Sequence, residues 1–305
     1  MTTAPPAQGT CHGFQILSDI DHLTLTSGTG WPITVYEIAN RIRPTGELLL
    51  SFDEREGRLP MSIHSTGSGR YEVVTASLGI FEVDAHQSTI AVPTTSDSFR
   101  REMLALGTPL ALLINHHGDL ALHAAGLAPT AKAVLLTGTG GAGKSTLTAA
   151  ALARGWRVLG DDLVRVRVAP TVAAFQGPVV ARVREPAMDI LDIGRVSELG
   201  RAAGKVLLSP APFPEYRSNS IDVGAVVIVG RGNRLSMAEV APEAAIPQLW
   251  KQSFYLPNES ARESCFSLLA SLVDSVPVMQ LAYPHSPDAL QPALDLLADT
   301  LQAND

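Results

Sequence analysis

Between residues 9 and 108 the chain runs in short alternating or wholly apolar stretches, HLTLTSGTG, TGELLLSFDE, GRYEVVTASLGIFEVDA and STIAVP, separated by Gly, Pro, Asp and Ser. Period-two alternation bounded by turn residues predicts strands, with a short helix from Phe99 to Leu106. Beyond Pro109 the rhythm changes to LALLINHHG, DLALHAAGL and KAVLLTG, then to a helical TLTAAALARG and the strand-like WRVLGDD. A strand, a glycine loop, a helix and a further strand in succession predict a layered α/β core. VRVRVAP and VVARVRE read as further strands, Met188 to Gly200 as a helix, and the segment around Pro210, Pro212 and Pro214 as a loop, because proline interrupts both ladders and helices. VVIV and PVMQLAY read as strands, and Ala261 to Val273 and Asp288 to Ala298 as helices. The chain therefore divides into a tail over residues 1–10, a β-rich unit over 11–107 and an α/β unit over 108–300.

Composition narrows the classes. Hydrophobic residues make up 46% and charged residues 17% of the 305, enough apolar material for a large core and too little charge for a disordered chain. The formal charge of −7 argues against a nucleic-acid backbone or a polybasic membrane surface as partner. The longest apolar runs are too short to span a bilayer, and the first ten residues lack the basic and apolar regions of a signal peptide. Cys11 and Cys265 stand far apart with no metal-ligand spacing, so a reduced, cytoplasmic setting is expected.

One motif carries chemistry. Residues 138–145, Gly138, Thr139, Gly140, Gly141, Ala142, Gly143, Lys144 and Ser145, satisfy G-x-x-x-x-G-K-[ST] at every fixed position, after a strand and before a helix. The glycines allow backbone N–H groups to converge on phosphate oxygens, and the helix N-terminus adds favourable partial charge. Lys144 would reach the β- and γ-phosphates, Ser145 would place its hydroxyl on Mg²⁺, and Thr146 would support the first helical turn. Asp161 and Asp162 end the strand that follows this helix. If that strand lies beside the loop-bearing strand, both carboxylates reach the phosphate end of the sheet. One could engage Mg²⁺ while the other takes a proton from an incoming hydroxyl, or the pair could hold metal and orient water in an ATPase. His123, on an apolar segment, would approach the loop if its strand forms a hairpin with Ala131 to Thr137. His116 and His117 are adjacent and make no metal pair.

The run from His117 to Val166 resembles, in order and spacing, the core of the HPr kinase/phosphorylase-related P-loop kinases, especially the compact branch that includes lasso peptide kinases. The likeness extends more weakly to about Leu296 and to the β-rich leader. It implies a phosphoenolpyruvate-carboxykinase-like P-loop kinase core with a smaller β-rich N-terminal domain, and transfer from ATP with Mg²⁺ to a serine hydroxyl. His123 corresponds to the family's active-site histidine, and Asp161 and Asp162 to its acidic pair, with Asp161 favoured as base and Asp162 and Ser145 on the metal. The downstream family signature has a loose counterpart in VVARVREPAMDILDIG, which makes Arg184 a substrate candidate and Glu185 a metal candidate. Lys205 and Arg217 are basic candidates for nucleotide phosphate or an acidic acceptor, and Trp250 and Tyr255 are candidates for core packing or peptide docking. The implied partner is a peptide or small-protein phosphoacceptor, such as a ribosomally made precursor peptide, and the resemblance also implies self-association. An NTPase controlling assembly and a nucleotide-binding module presenting a peptide remain alternatives.

Overall fold

The computed structural model describes residues 5–21, 25–52, 60–95, 97–191, 194, 196–202, 204–212, 216 and 218–302. It shows a mixed α/β fold. The first strands, β1 (Ala7–Cys11), β2 (Phe14–Ser18), β3 (Trp31–Ile38), β4 (Glu47–Phe52), β5 (Met61–Gly67), β6 (Arg70–Thr75), β7 (Gly79–Asp84) and β8 (Thr89–Pro93), form one eight-stranded sheet in the order β1-β2-β3-β8-β7-β6-β5-β4. Alternation along β2, β3, β6 and β7 turns Phe14, Ile16, Ile33, Val35, Val73, Phe81 and Val83 to a shared core. Helices α1 (Ser98–Ala105) and α2 (Thr108–His116) pack on this core, α2 contributing Leu110 to Ile114. Asp97 caps α1 by accepting from the Arg100 N–H at 2.9 Å.

Next come β9 (Leu120–Leu122), β10 (Ala125–Ala128), β11 (Ala133–Thr137), α3 (Lys144–Ala153), β12 (Arg157–Gly160), β13 (Val164–Arg167), β14 (Ala173–Phe175), β15 (Ala181–Arg184), a 3-10 turn (Glu185–Ile190), β16 (Val196–Ala202) and β17 (Lys205–Pro210). The chain continues through β18 (Ser220–Arg231), β19 (Ser236–Glu239), α4 (Pro242–Trp250), β20 (Ser253–Phe254), α5 (Glu259–Ser275), β21 (Val278–Tyr283) and α6 (Pro287–Gln302). A ten-stranded sheet runs β12-β10-β11-β18-β14-β13-β9-β20, with β21 on β18 and β19 on β21. β18 is parallel to β11 and to β21, and it reads as a continuous apolar run because helices cover both faces. Val134 and Leu136 of β11 and Val227 and Val229 of β18 face α3 and α6. Their neighbours Leu135, Val226 and Ile228 face α4 and α5. A three-stranded sheet, β15-β17-β16, closes over α3 through Ala181, Val183, Val206 and Leu208.

Two strand pairs, β9 with β10 and β12 with β13, pass from one wing of the large sheet to the other, since β10 and β12 pair in one wing and β9 and β13 in the other. His123 lies at the first joint and Asp161 and Asp162 at the second. The two sheets are fastened close by. Arg165 donates to Asp119 at 2.6 Å and to the His12 carbonyl at 3.0 Å, with its guanidinium over Phe14 and Phe175. The His12 ring is fully buried, and burial followed by the Arg165 charge pushes it down to about 3, so it is neutral.

Some expectations change. The predicted helix from Met188 to Gly200 is instead the 3-10 turn followed by β16. Its pairing with the Val- and Leu-rich β17 outweighs local helical preference, and Gly200 is a poor helix former. The strand carrying the acids does not pair with the loop-bearing strand, because β10 lies between them. Both of those contacts are antiparallel, so β12 and β11 still end at the same edge. The stretch read as a tail over residues 1–10 ends in β1 (Ala7–Cys11), which pairs with β2, and HLTLTSGTG, read as a strand, forms none among its described residues 25–30, where Thr26 makes only an isolated bridge to Thr10; residues 22–24 lie outside the described residues. Among the described residues no helix is long and apolar enough to cross a membrane.

Glu72 of β6 secures the β3–β4 connection. It accepts from Arg41 at 2.8 Å, from the Thr45 N–H at 2.7 Å and hydroxyl at 2.9 Å, and from the Gly46 N–H at 3.1 Å. Burial opposes its ionisation, yet these donors hold the carboxyl down at about 2. A depressed folded-state value stabilises above the unfolded value and is lost as pH falls through the folded one, here between the ordinary 4.5 and about 2. At about 1.4 kcal/mol per unit this contributes on the order of 3 kcal/mol at neutral pH. In urea unfolding, Glu72→Gln is expected to lower stability at pH 7 by that order and to flatten the pH dependence below 4.5.

Candidate functional site

All of β11 is buried, and its carboxyl end delivers the glycine loop to solvent. Gly138 has φ +136°, and a Cβ there would lie 2.5 Å from the Val229 carbonyl of the adjoining strand. Thr139, Gly140 and Gly141 are exposed. Gly143, at φ +96°, caps α3, and a Cβ there would overlap the Tyr283 hydroxyl. That hydroxyl donates to the Gly143 carbonyl at 3.2 Å, while His285 Nε2 lies 3.1 Å from the Ala142 carbonyl. The segment after β21 thus clasps the end of the loop. Lys144 is buried and folds back along the loop, its Nζ donating to the carbonyls of Gly138 at 2.7 Å and Thr139 at 3.3 Å. Thr146 is half-buried in the first turn of α3, and the Thr148 hydroxyl donates to the Lys144 carbonyl at 2.9 Å.

The two aspartates face different partners. Asp162 has φ +77°, a left-handed conformation that Asp tolerates better than most side chains, and this kink separates the carboxylates. Asp161 is buried. Its Oδ1 accepts from the Ser145 hydroxyl at 3.2 Å and its Oδ2 from the Arg182 backbone N–H at 2.8 Å. Asp162, partly exposed, accepts from the Arg182 guanidinium at 3.1 Å and from Lys205 Nζ at 3.3 Å, both on Oδ2. Its Oδ1 lies 3.7 Å from His123 Nε2. Burial, and then the charge of Asp162, raise the Asp161 carboxyl above the ordinary range. Burial also works against ionisation of Asp162, but His123, Arg182 and Lys205 together outweigh it and hold that carboxyl well below the ordinary range. The environments push the two acids apart, a pattern that gives neighbouring carboxyls separate tasks.

The structure brings Lys144, Ser145, Asp161, Asp162, His123 and Lys205 together. Other candidates lie elsewhere. Arg184 is exposed at the end of β15, opposite Lys205 in the ladder. Glu185 is exposed and pairs with Arg201 at 2.7 Å. Arg217 lies outside the described residues. The Trp250 and Tyr255 rings meet tilted at 44° with centroids 4.5 Å apart beside the α4–α5 core, with Phe266 at 6.4 Å from Trp250. His117 packs against Phe14 and Trp31, away from the acids.

Sequence reasoning missed two residues. Arg182 touches both aspartates, and its signal was the alternation in VVARVRE, which puts it on the same strand face as Arg184, two residues nearer the strand's start. Gln252 holds His123 twice, its carbonyl accepting from the His123 N–H at 2.7 Å and its Oε1 lying 3.1 Å from Nδ1. Nothing local in the sequence marks it.

Among the described residues no group of three or more His, Cys, Asp and Glu side chains could hold a metal ion. A magnesium ion bound with a nucleotide takes one or two protein oxygens and completes its shell with phosphate and water. The Ser145 hydroxyl and the Asp161 carboxylate, 3.2 Å apart at the start of α3, are hard oxygen donors of that kind.

No family model matches the chain, and no curated protein matches it. Among solved structures it is similar to that of the Hpr(Ser) kinase/phosphatase from Coxiella burnetii, with 15% identity and a TM-score of 0.30 over 60% of this chain and 94% of that chain. This is a weak, low-identity resemblance of fold, and it transfers no residue role.

Gly143→Ala is expected to leave the far-ultraviolet circular dichroism unchanged but to displace Tyr283 and open the loop. Stability in urea unfolding should fall by about 1–2 kcal/mol, the cost of the left-handed conformation to a non-glycine residue.

Proposed function

We propose that the chain is an ATP- and Mg²⁺-dependent kinase that phosphorylates a serine hydroxyl of a peptide or small protein, a ribosomally made precursor peptide being the acceptor the sequence resemblance favours. In this reading residues 108–300 are a phosphoenolpyruvate-carboxykinase-like P-loop core and residues 11–107 a β-rich leader. The observation that carries the reading is the meeting of a complete G-x-x-x-x-G-K-S loop with a divided acid pair, Asp161 against Ser145 and Asp162 against His123, Arg182 and Lys205.

Lys144 would exchange the Gly138 and Thr139 carbonyls for phosphate oxygens, and the loop N–H groups would cradle the rest of the chain of phosphates. Ser145 and Asp161 would hold Mg²⁺, which when bound neutralises charge on the phosphates. Asp162 is the partly exposed acid; Arg182 and Lys205 hold its Oδ2, and its Oδ1, 3.7 Å from His123 Nε2, is the oxygen that would meet the acceptor. The base thus moves from Asp161, favoured on the sequence, to its neighbour. The acceptor oxygen bonds to the γ-phosphorus as the bond from that phosphorus to the bridging oxygen breaks. ADP departs, and the hydroxyl proton passes to Asp162. An acid held so far below the ordinary range is a weak base, so Asp162 acts chiefly by aligning the acceptor hydroxyl and offsetting the charge that develops on it, with the proton passing late.

Asp162→Asn is expected to cut the rate of phosphate transfer from labelled ATP by about a hundredfold or more while changing ATP affinity by less than about threefold. Asp161→Asn should instead raise the Mg²⁺ concentration needed for half-maximal activity. Unimpaired transfer by the Asp162 variant, or ATP hydrolysis without any phosphorylated acceptor in the wild type, contradicts this function.

A further inference from the structure

A cavity of about 210 Å³ opens on the α4 side of the phosphate loop. Gly138 and Thr139 form one wall, and Gln248, Lys251, Gln252 and Gln280 supply its polar lining over an apolar floor from β18. It borders the reacting end of the proposed nucleotide site. The Lys144 ammonium, the group that would meet the β- and γ-phosphates, sits on the carbonyls of Gly138 and Thr139, the residues that form this wall. The opposite side reaches the acid pair, because Gln252 holds His123 through its carbonyl and Oε1, and His123 faces Asp162 at 3.7 Å. A group seated here lies between the loop residues that hold the Lys144 ammonium and Gln252, which holds His123 beside Asp162.

The lining also states a chemistry. It contains three carboxamides and one ammonium and no carboxylate. Gln280 is oriented by donating its amide to the Ile228 carbonyl at 3.0 Å. Carboxamides pair with polar groups of either kind, while Lys251 adds positive charge that nothing in the lining offsets. At about 30 Å³ per water, the volume is that of about seven waters, enough for one side chain or a small hydroxy acid.

We propose that this cavity is the acceptor subsite, and that it selects a hydroxyl whose near neighbour is an anionic group held by Lys251 and the three glutamines. The inference rests on the kinase reading. The anionic group has two sources, an acidic residue flanking a peptide serine or the carboxylate of a small hydroxy acid.

The test uses the full chain with labelled ATP and Mg²⁺ and offers heptapeptides with a central serine flanked by Asp or by Lys, together with L-serine and D-glycerate. The Asp-flanked peptide should show a KM about tenfold or more below the Lys-flanked one, the scale of one charge-assisted hydrogen bond. Lys251→Glu, on an exposed side chain, should reverse that order while affinity for a fluorescent ATP analogue stays within about threefold. Preference for the acidic peptide over the free hydroxy acids places the anion on a polypeptide, and the opposite preference places it on a small molecule; both support the subsite. Transfer that ignores the flanking charge overturns it, as does a Lys251→Glu variant that loses analogue and acceptor affinity together, which would make the cavity part of the nucleotide site. ATP binding without transfer to any acceptor defeats the kinase reading, and the subsite with it.

Discussion

Two consecutive carboxylates in a protein interior repel each other and lose their water, so they persist only where cations and donors compensate them. Here the compensation comes from the small sheet. Arg182 on β15 supplies a backbone N–H to Asp161 and a guanidinium to Asp162, and Lys205 on β17 supplies an ammonium to Asp162. That sheet is held in place by burying Ala181, Val183, Val206 and Leu208 against the core that also receives α3. The helix that begins with the lysine and serine of the glycine loop therefore packs against the strands that hold the acids. Packing and electrostatics fix the same geometry.

A net acidic chain can still gather positive charge locally. The net −7 describes the whole chain, whereas Arg182 and Lys205 meet at Asp162 and Lys144 begins the helix whose next residue, Ser145, donates to Asp161. Backbone geometry adds to them. Gly138 and Gly143 adopt positive φ where a side chain would meet Val229 or Tyr283, so the loop is shaped by its neighbours as much as by its own glycines. The eight-stranded sheet reaches this region too, since Arg165, on the strand that leaves the acid pair, fastens its carbonyl partner His12 and the ring of Phe14.

What the sequence disclosed was local. The strand, loop and helix around residues 133–153 and the acids one strand later are contiguous, and short-range pattern suffices to find them. The hairpin that brings His123 to the loop is likewise formed by neighbours in the chain, β10 and β11. Partners fixed by pairing between distant segments were not legible. Gln252 lies 129 residues from His123, and it meets it because β20 pairs with β9. Arg182 was passed over for Arg184, since alternation gives a face but not a distance along it. β16 read as helix because what makes it a strand is its partner β17. In the first sheet β1, β2, β3 and β5 escaped notice; β3, parallel to both neighbours, has no hairpin partner to mark it.

The central claim is that the acid pair is divided, with Asp161 and Ser145 on the metal and Asp162 on the acceptor side. A crystal structure with a non-hydrolysable ATP analogue and Mg²⁺ measures this most directly. The expected result is a metal ion touching the Ser145 hydroxyl and, directly or through one water, the Asp161 carboxylate, with Lys144 on the γ-phosphate and Asp162 Oδ1 facing its open side. A nucleotide bound away from the glycine loop, or a metal ion held by Asp162 with Asp161 left on Arg182, would contradict it.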